Sequence, residues 1–513
     1  MVNRMRKLSV MMNRVRLSLI VVGILIFTSG VGSAQQQRVL RVTQALIEPT
    51  TLDPHMHHNV ETEDITRQIC EHLLERDPDG KLIPSLATSW QMINENTWQF
   101  KLRKGVRFHN GEEFDARAVK FSIERIIDPN VNSPQRGRYR SISRAEIIDD
   151  HTINVITDSI DLLLPAKLSS TLGNIVPMKY LIEVGDAEFS RHPIGTGPFK
   201  FLSRGREKEI ILIPNENYWG EIPKIDRLVF YFIPDSGKQI EMLIHGDLHI
   251  VSNIPPRLSL RIKQNPNTNL VRRATLQFAN SRMNAIKEGP LSDRRVRQSI
   301  NYAVDTDRLI KYVFNGNGRA LATITMPEEF GFNPSLKPYP YDLQLAKHLL
   351  KEAGYAGGIT LDFVVMNDLE ELGRAVAKEL SRANIKAKMR LMSREEFIKR
   401  TINKTLDFDL ALANPSGPYF DASIQLSQQL SSKSPFSVYR NKRVDQLLEE
   451  ADRTTNESER RSMLMKIQEI IYSEATHLFL FQMIRAYGLQ RRVSGFVPYA
   501  DGLLRLNHVS LKN

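Results

Sequence analysis

A single cysteine, Cys70, stands in 513 residues, so the chain cannot close an intramolecular disulfide, and it shows no paired Cys/His arrangement. Long apolar runs are equally scarce. The most extended, Leu17 to Phe27, has eleven residues, where a bilayer-spanning helix needs roughly 20. Motifs that mark common hydrolases are missing: there is no G-x-S-x-G and no H-E-x-x-H. The glycines of Pro193-Ile194-Gly195-Thr196-Gly197-Pro198 fall short of G-x-G-x-x-G, and Pro198 lacks the backbone donor that a phosphate cradle uses. Their expected use is a bend that lets Phe199 and Phe201 enter a strand. Blocks of one charge sign are absent too. Lys and Arg exceed Asp and Glu by 70 to 58, but the two signs are interleaved, and no basic stripe with aromatics points to nucleic acid.

What the chain does have begins at its N-terminus. Arg4, Arg6, Lys7, Arg14 and Arg16 precede the apolar run, and Gly32-Ser33-Ala34 follows it with small residues, the pattern of a cleavable secretory signal over 1–34. Removing those five cations takes the formal charge from +12 to +7. No cysteine sits at the cleavage site to carry a lipid, so the expectation is a soluble periplasmic protein, long enough for two or three cores.

The stretch from Asp79 to Asp128 is the most ordered pattern. Trp98, Phe100 and Leu102 alternate with Thr97, Gln99 and Lys101, as a half-buried strand requires. Lys104-Gly105 turns the chain, Val106 and Phe108 continue the alternation, and Asn110-Gly111 reverses it. A helix follows, with Asp115 as N-cap, Val119, Ile123, Ile126 and Ile127 as its apolar stripe, and Asp128-Pro129 as its stop. As physics this is a core unit without chemistry. Three runs within it, PSLATSW, TWQFKLRKGVRFHNGE and DARAVKFSIERI, resemble the family 5 extracellular solute-binding proteins, the peptide- and nickel-binding subunits of bacterial ABC importers.

That resemblance implies an α/β, two-lobed periplasmic-binding-protein fold (class II) with an additional inserted domain. Lobe I would comprise 35–56, 192–276 and 490–513, the inserted domain II 57–191, and lobe III 277–489. It further implies a monomer without cofactor or nucleic acid, which closes by a hinge on a peptide or peptide-like solute and delivers it to ABC permease subunits at the inner membrane. The alternative is a carrier of nickel, haem or another non-peptide solute. A secreted hydrolase is a third class, for which no motif is found.

Elsewhere the residues divide into core and candidates. Ile65, Ile69, Leu73 and Leu74 predict a helix over Ile65 to Leu74; Ile359 to Ala413 reads as β-α-β-α-β and so predicts a parallel sheet. Glu48-Pro49-Thr50, in the turn before Leu52-Asp53-Pro54, resembles a position where peptide-binding relatives contact ligand main chain; Glu48 does this or faces solvent. Gln277 to Asn280 reads as the crossover into the last lobe, which makes Gln277 and Asn280 candidates. The loop Asn414-Pro415-Ser416-Gly417-Pro418-Tyr419-Phe420-Asp421 lies at the carboxyl ends of the expected strands, where open α/β sheets take ligands. Relatives that carry peptides place an aromatic and an acid early in this loop, the acid for the ligand's α-ammonium, whereas this chain has Asn414 and Gly417-Pro418 there. Tyr419, Phe420 and Asp421 come later in the loop. Asp421 either takes over the ammonium or caps the helix that follows. His55, His57 and His58 raise a metal reading, but they have no carboxylate or cysteine beside them to complete a site.

Overall fold

The run Val39–Thr43 (β1) alternates so that Leu40 and Val42 are fully buried. A computed structural model describes residues 37–43, 48–57, 59–170, 173–205 and 209–512; the expected signal segment and His58 lie outside them. Met1–Arg38 and Val39–Asn513 are separate units, and the description below concerns the second.

Helix Val60–Ile69 (α1) starts at Asn59, whose side chain accepts from the Thr62 amide, with Glu61 and Glu63 at the positive end of the helix dipole. It ends five residues before the periodicity predicts. Cys70 is already extended and Leu74 begins a short strand. The reason is a backbone contact. Gly197 N donates to Ile69 O at 2.8 Å, and a Cβ on Gly195 would stand 2.1 Å from that same oxygen. Neither glycine has a positive φ. Both serve close approach, and the chain bends over 196–198 just before Phe199 enters its strand, as expected.

Ala87–Asn94 (β2), Thr97–Leu102 (β3), Ile142–Asp149 (β4) and Thr152–Thr157 (β5) form an antiparallel sheet in the order β2-β3-β5-β4. Helix Ala116–Ile127 (α2) is capped by Asp115, as its sequence predicts, and buries Val119, Ile123 and Ile126 in the same cluster as Phe100 and Val155. Val106 and Phe108 are buried but form no strand. Positive φ at Gly105 and Gly111 turns the chain twice within a few residues, leaving one isolated bridge, Arg107 to Glu113.

Apart from two short two-stranded ribbons, the remaining strands build one mixed sheet. They are Phe199–Gly205 (β6), Glu209–Pro214 (β7), Arg227–Tyr231 (β8), Ile250–Val251 (β9), Thr268–Met283 (β10), Ile359–Met366 (β11), Ile385–Met392 (β12), Leu410–Ala413 (β13) and His477–Gln490 (β14). With β1 they run in the order β12-β11-β13-β10-β14-β9-β1-β8-β7-β6, and Gly318–Ala320 pairs alongside β14. The expected β-α-β-α-β unit is present: β11 lies parallel to β12 and β13, with Glu370–Arg382 (α3) and Arg394–Ile402 (α4) as crossovers. Parallel pairing stops at β13, which meets β10 antiparallel.

Strands β10 and β14, of 16 and 14 residues, belong to both halves of this sheet. Their early pairing runs beside β9 and their later pairing beside β13. Between Ala274/Ile484 and Phe278/Gln482 the register breaks, so Thr275, Leu276 and Gln277 face the single residue Met483. Gln277 to Asn280, read from sequence as a crossover, are therefore part of a continuous strand. One apolar cluster gathers Leu361, Phe363 and Val376 on one half, another gathers Leu40, Phe199 and Phe230 on the other, and the result is a two-lobed α/β fold. Among the described residues no helix is long and apolar enough to cross a membrane.

Candidate functional site

Met366 at the end of β11 and Ala413 at the end of β13 open onto the same cavity, of about 440 Å³. That position, beyond the carboxyl ends of parallel strands, follows from the crossover geometry. A second cavity, about 170 Å³, meets the first at Ser416 and Pro418 and is lined by Thr275, Leu276 and Gln277 of the β10 bulge. A third, about 650 Å³, lies between Tyr419, Phe420 and Asp421 on one side and Trp90 and Trp98 on the other. All three adjoin the loop 414–421.

The loop is held by backbone pairing. Gly417 N donates to Leu276 O at 2.9 Å, Phe278 N to Pro415 O at 3.1 Å, and Gln277 bridges Ser416. Phe420 sits at φ +59, and its ring packs on Gly80 beneath the Arg76 guanidinium, 4.5 Å away. Arg76 also donates to Tyr419 O at 3.2 Å.

The expected site residues do not all converge. Gln277, Asn280 and Tyr419 line these cavities, with Asn280 donating to Gln429 at 2.9 Å. Asn414 is drawn sideways, donating to Asp368 at 2.9 Å and accepting from Arg394. Asp421 is engaged twice. It caps Ala422–Leu430 (α5) through the Ser423 amide at 3.0 Å, and it pairs with buried Arg460 at 2.7 and 2.9 Å. Glu48 pairs with Arg204 at 3.0 Å and Pro49 O accepts from the same guanidinium, while Thr50 is exposed; none of the three lines these cavities. His55 donates to Asn174 O at 2.8 Å and accepts from Arg125, and burial pulls its pKa down to about 4. Buried His57 stands by Thr66 and Glu63. Among the described residues no three His, Cys, Asp or Glu side chains are placed to hold a metal ion. Tyr218 and Trp219 both donate to Glu71, at 2.7 and 2.8 Å, and so pack within the fold.

Sequence reasoning missed Glu329 and the arginines 138, 282 and 394. Glu329 is 3% exposed; its Oε2 accepts from the Met326 amide at 2.8 Å and its Oε1 has no hydrogen-bond partner among the described residues. A Cβ on Gly417 would stand 2.2 Å from that oxygen, so an acid reaches the early part of the loop from another segment, 88 residues away in sequence. Burial pushes the Glu329 carboxyl up to about 8. A raised folded pKa gives stability that is complete below the ordinary carboxyl range and lost as pH rises through about 8. Glu329→Gln is therefore expected to come close to wild-type stability at pH 5 and exceed it at pH 9, by at most roughly 5 kcal/mol, with a correspondingly higher melting temperature. Paired thermal melts at the two pH values check this, and equal differences at both would contradict it.

Comparison with known proteins gives these arrangements a context. The model of the family described as "Bacterial extracellular solute-binding proteins, family 5 Middle" matches residues 81–436. Heme-binding protein A of Haemophilus influenzae is 28% identical over 473 residues, covering 85% of this chain and 86% of its own. Glutathione-binding protein GsiB of Pectobacterium atrosepticum is 25% identical over 476 residues, covering 90% and 92%. The solved structure of the ABC transporter-associated periplasmic binding protein DppA from Helicobacter pylori, in complex with the peptide STSA, superposes with a TM-score of 0.76 at 26% identity, covering 93% of this chain and 99% of that one.

Proposed function

From the premise that this chain belongs to the family 5 bacterial extracellular solute-binding proteins, we propose that it is the periplasmic solute-binding component of an ABC importer. It captures a peptide or peptide-like solute between its lobes by hinge closure and hands it, unchanged, to permease subunits at the inner membrane. The observation that carries this reading is the loop 414–421, pinned to the β10 bulge and bordered by cavities on both sides. Extended backbone at such a bulge offers main-chain partners to a peptide. Micromolar capture needs roughly 8 kcal/mol, within reach of buried aromatic contacts and a few main-chain hydrogen bonds.

On this reading 35–56, 192–276 and 490–513 are lobe I, 57–191 the inserted domain and 277–489 lobe III. The pairing of β1 with β8 and β9, and of β11 with β12 and β13, is in keeping with the two lobes. The protein works as a carrier and a monomer, exported by its first 34 residues. Native mass spectrometry of protein purified from periplasm is expected to reveal a bound solute. Incubation of the purified protein with a peptide pool is expected to raise its melting temperature while leaving the pool uncut, since ligand at 100 times Kd adds roughly 2.7 kcal/mol. Cleavage of the pool would replace the carrier with an enzyme.

A further inference from the structure

Among the described residues Arg282 is a cation without a counter-ion. It lies in β10, is 4% exposed, and makes one hydrogen bond, from Nη1 to Phe436 O at 2.7 Å. Its guanidinium lies 4.8, 5.6 and 5.9 Å from the ring centroids of Phe397, Phe408 and Phe436. Among the described residues it forms no ion pair. Burial alone pulls its pKa down to about 10, since no carboxylate stands near enough to hold it up.

A buried guanidinium needs compensation for the water it has lost. Aromatic faces supply part of it. Among the described residues the rest of its donors have no acceptor, and the residue lines the cavity of about 440 Å³ described above. Arg138 and Arg394 line that cavity as well, and no Asp or Glu does. Arg394 has Asp368 at 3.4 Å to one side, but Arg138 is exposed and makes no ion pair among the described residues. The wall is completed by neutral donors and acceptors, Asn280, Gln428 and Gln429, and by Tyr419 and Phe436. Such a chamber repels cations and leaves neutral groups unable to satisfy the guanidinium.

We propose that a carboxylate of the captured solute other than a peptide's α-carboxylate, such as an acidic side chain, seats on Arg282, with Arg138 and Arg394 at the same chamber, so that the solute is an acidic peptide or peptide-like anion. This rests on the solute-carrier reading and narrows it. Bidentate pairing with a carboxylate is what a planar guanidinium does best, and the three phenyl rings hold the fork in place before the anion arrives.

The test uses Arg282→Met in the full chain, an apolar side chain of similar length. Without solute, the variant is expected to melt at or above the wild-type temperature, because it removes an uncompensated charge; an arginine serving only the fold would give a clear loss. Solute released by denaturing wild-type protein purified from periplasm is expected to be anionic, and the variant is expected to retain at least tenfold less of it, the scale of one charge-assisted hydrogen bond. Calorimetric titrations with L-Glu-L-Glu and L-Gln-L-Gln form the second arm. The variant is expected to weaken the acidic dipeptide by roughly 30-fold and the neutral one by less than about threefold.

A neutral or cationic released solute, equal retention by the variant, or tight binding of L-Gln-L-Gln alone would overturn the anion assignment and leave the carrier reading intact. Response to inorganic phosphate with none to L-Glu-L-Glu would also overturn it. If the wild type releases no solute and titrates with no dipeptide, the carrier reading fails and this inference goes with it.

Discussion

Replacing Asp421 by alanine is expected to destabilise the protein by about 3–5 kcal/mol, the range for removing one partner of a buried ion pair. Arg460 would remain buried, with its guanidinium 5.0 Å from the Phe330 ring and without an ion pair among the described residues. The bidentate pair at 2.7 and 2.9 Å would be lost together with the cap on α5. Asp421→Asn separates these contributions. The amide keeps an oxygen for the Ser423 amide but cannot neutralise Arg460, so most of the loss is expected to persist. Urea unfolding of both variants measures it. The same pair of variants decides the role that sequence left open. An Asp421 that served a ligand ammonium would give Asp421→Asn near-normal stability and abolished peptide binding, which would sink the structural role argued here.

The second large effect is expected at Gly80. Its φ is +93, and a Cβ there would lie 1.9 Å from the Phe420 ring. Gly80→Val therefore adds a β-branched residue where L side chains are strained, about 1–2 kcal/mol, and forces the segment near Arg76 away from the loop. Arg76 would lose both its place over the Phe420 ring and its bond to Tyr419 O. Solute affinity is expected to fall by more than roughly tenfold. Truncating the ring makes room, so the double variant Gly80→Val/Phe420→Ala is expected to recover part of that loss. A strictly additive double variant, read from a thermodynamic cycle, would show that the contact plays no part in capture.

Much of this architecture could be read before any coordinates. Asp115 with Val119, Ile123 and Ile126 announced α2, and the alternation of Ile359 to Ala413 announced the parallel strands, because local periodicity there coincides with what the tertiary fold buries. It misled where the two diverge. Leu73 and Leu74 keep helical spacing with Ile65 and Ile69, yet the approach of Gly195 and Gly197 ends the helix at Cys70.

The site was half legible. The loop 414–421 follows from the strand order, and Gln277, Asn280 and Tyr419 line its cavities. Arg282 and Glu329 were invisible. A charged residue in a strand reads as the solvent face, and what buries Arg282 comes from three separate segments around Phe397, Phe408 and Phe436. One clue existed: Asn280 and Arg282 share a face at the end of β10, two residues apart.

The break in register between β10 and β14 carries a mechanical consequence. Two chains cross there side by side, bonded to each other before and after three unmatched residues. Sliding would cost whole ladders of main-chain bonds, so the only compliant coordinate left is a torsion at that crease. Side chains already stand in for the missing rungs, Gln482 donating to Thr275 O at 2.8 Å and Thr275 to Met483 O at 3.1 Å. The crease can thus flex without leaving those carbonyls bare, and its axis passes beside the very residues that line the smaller cavity.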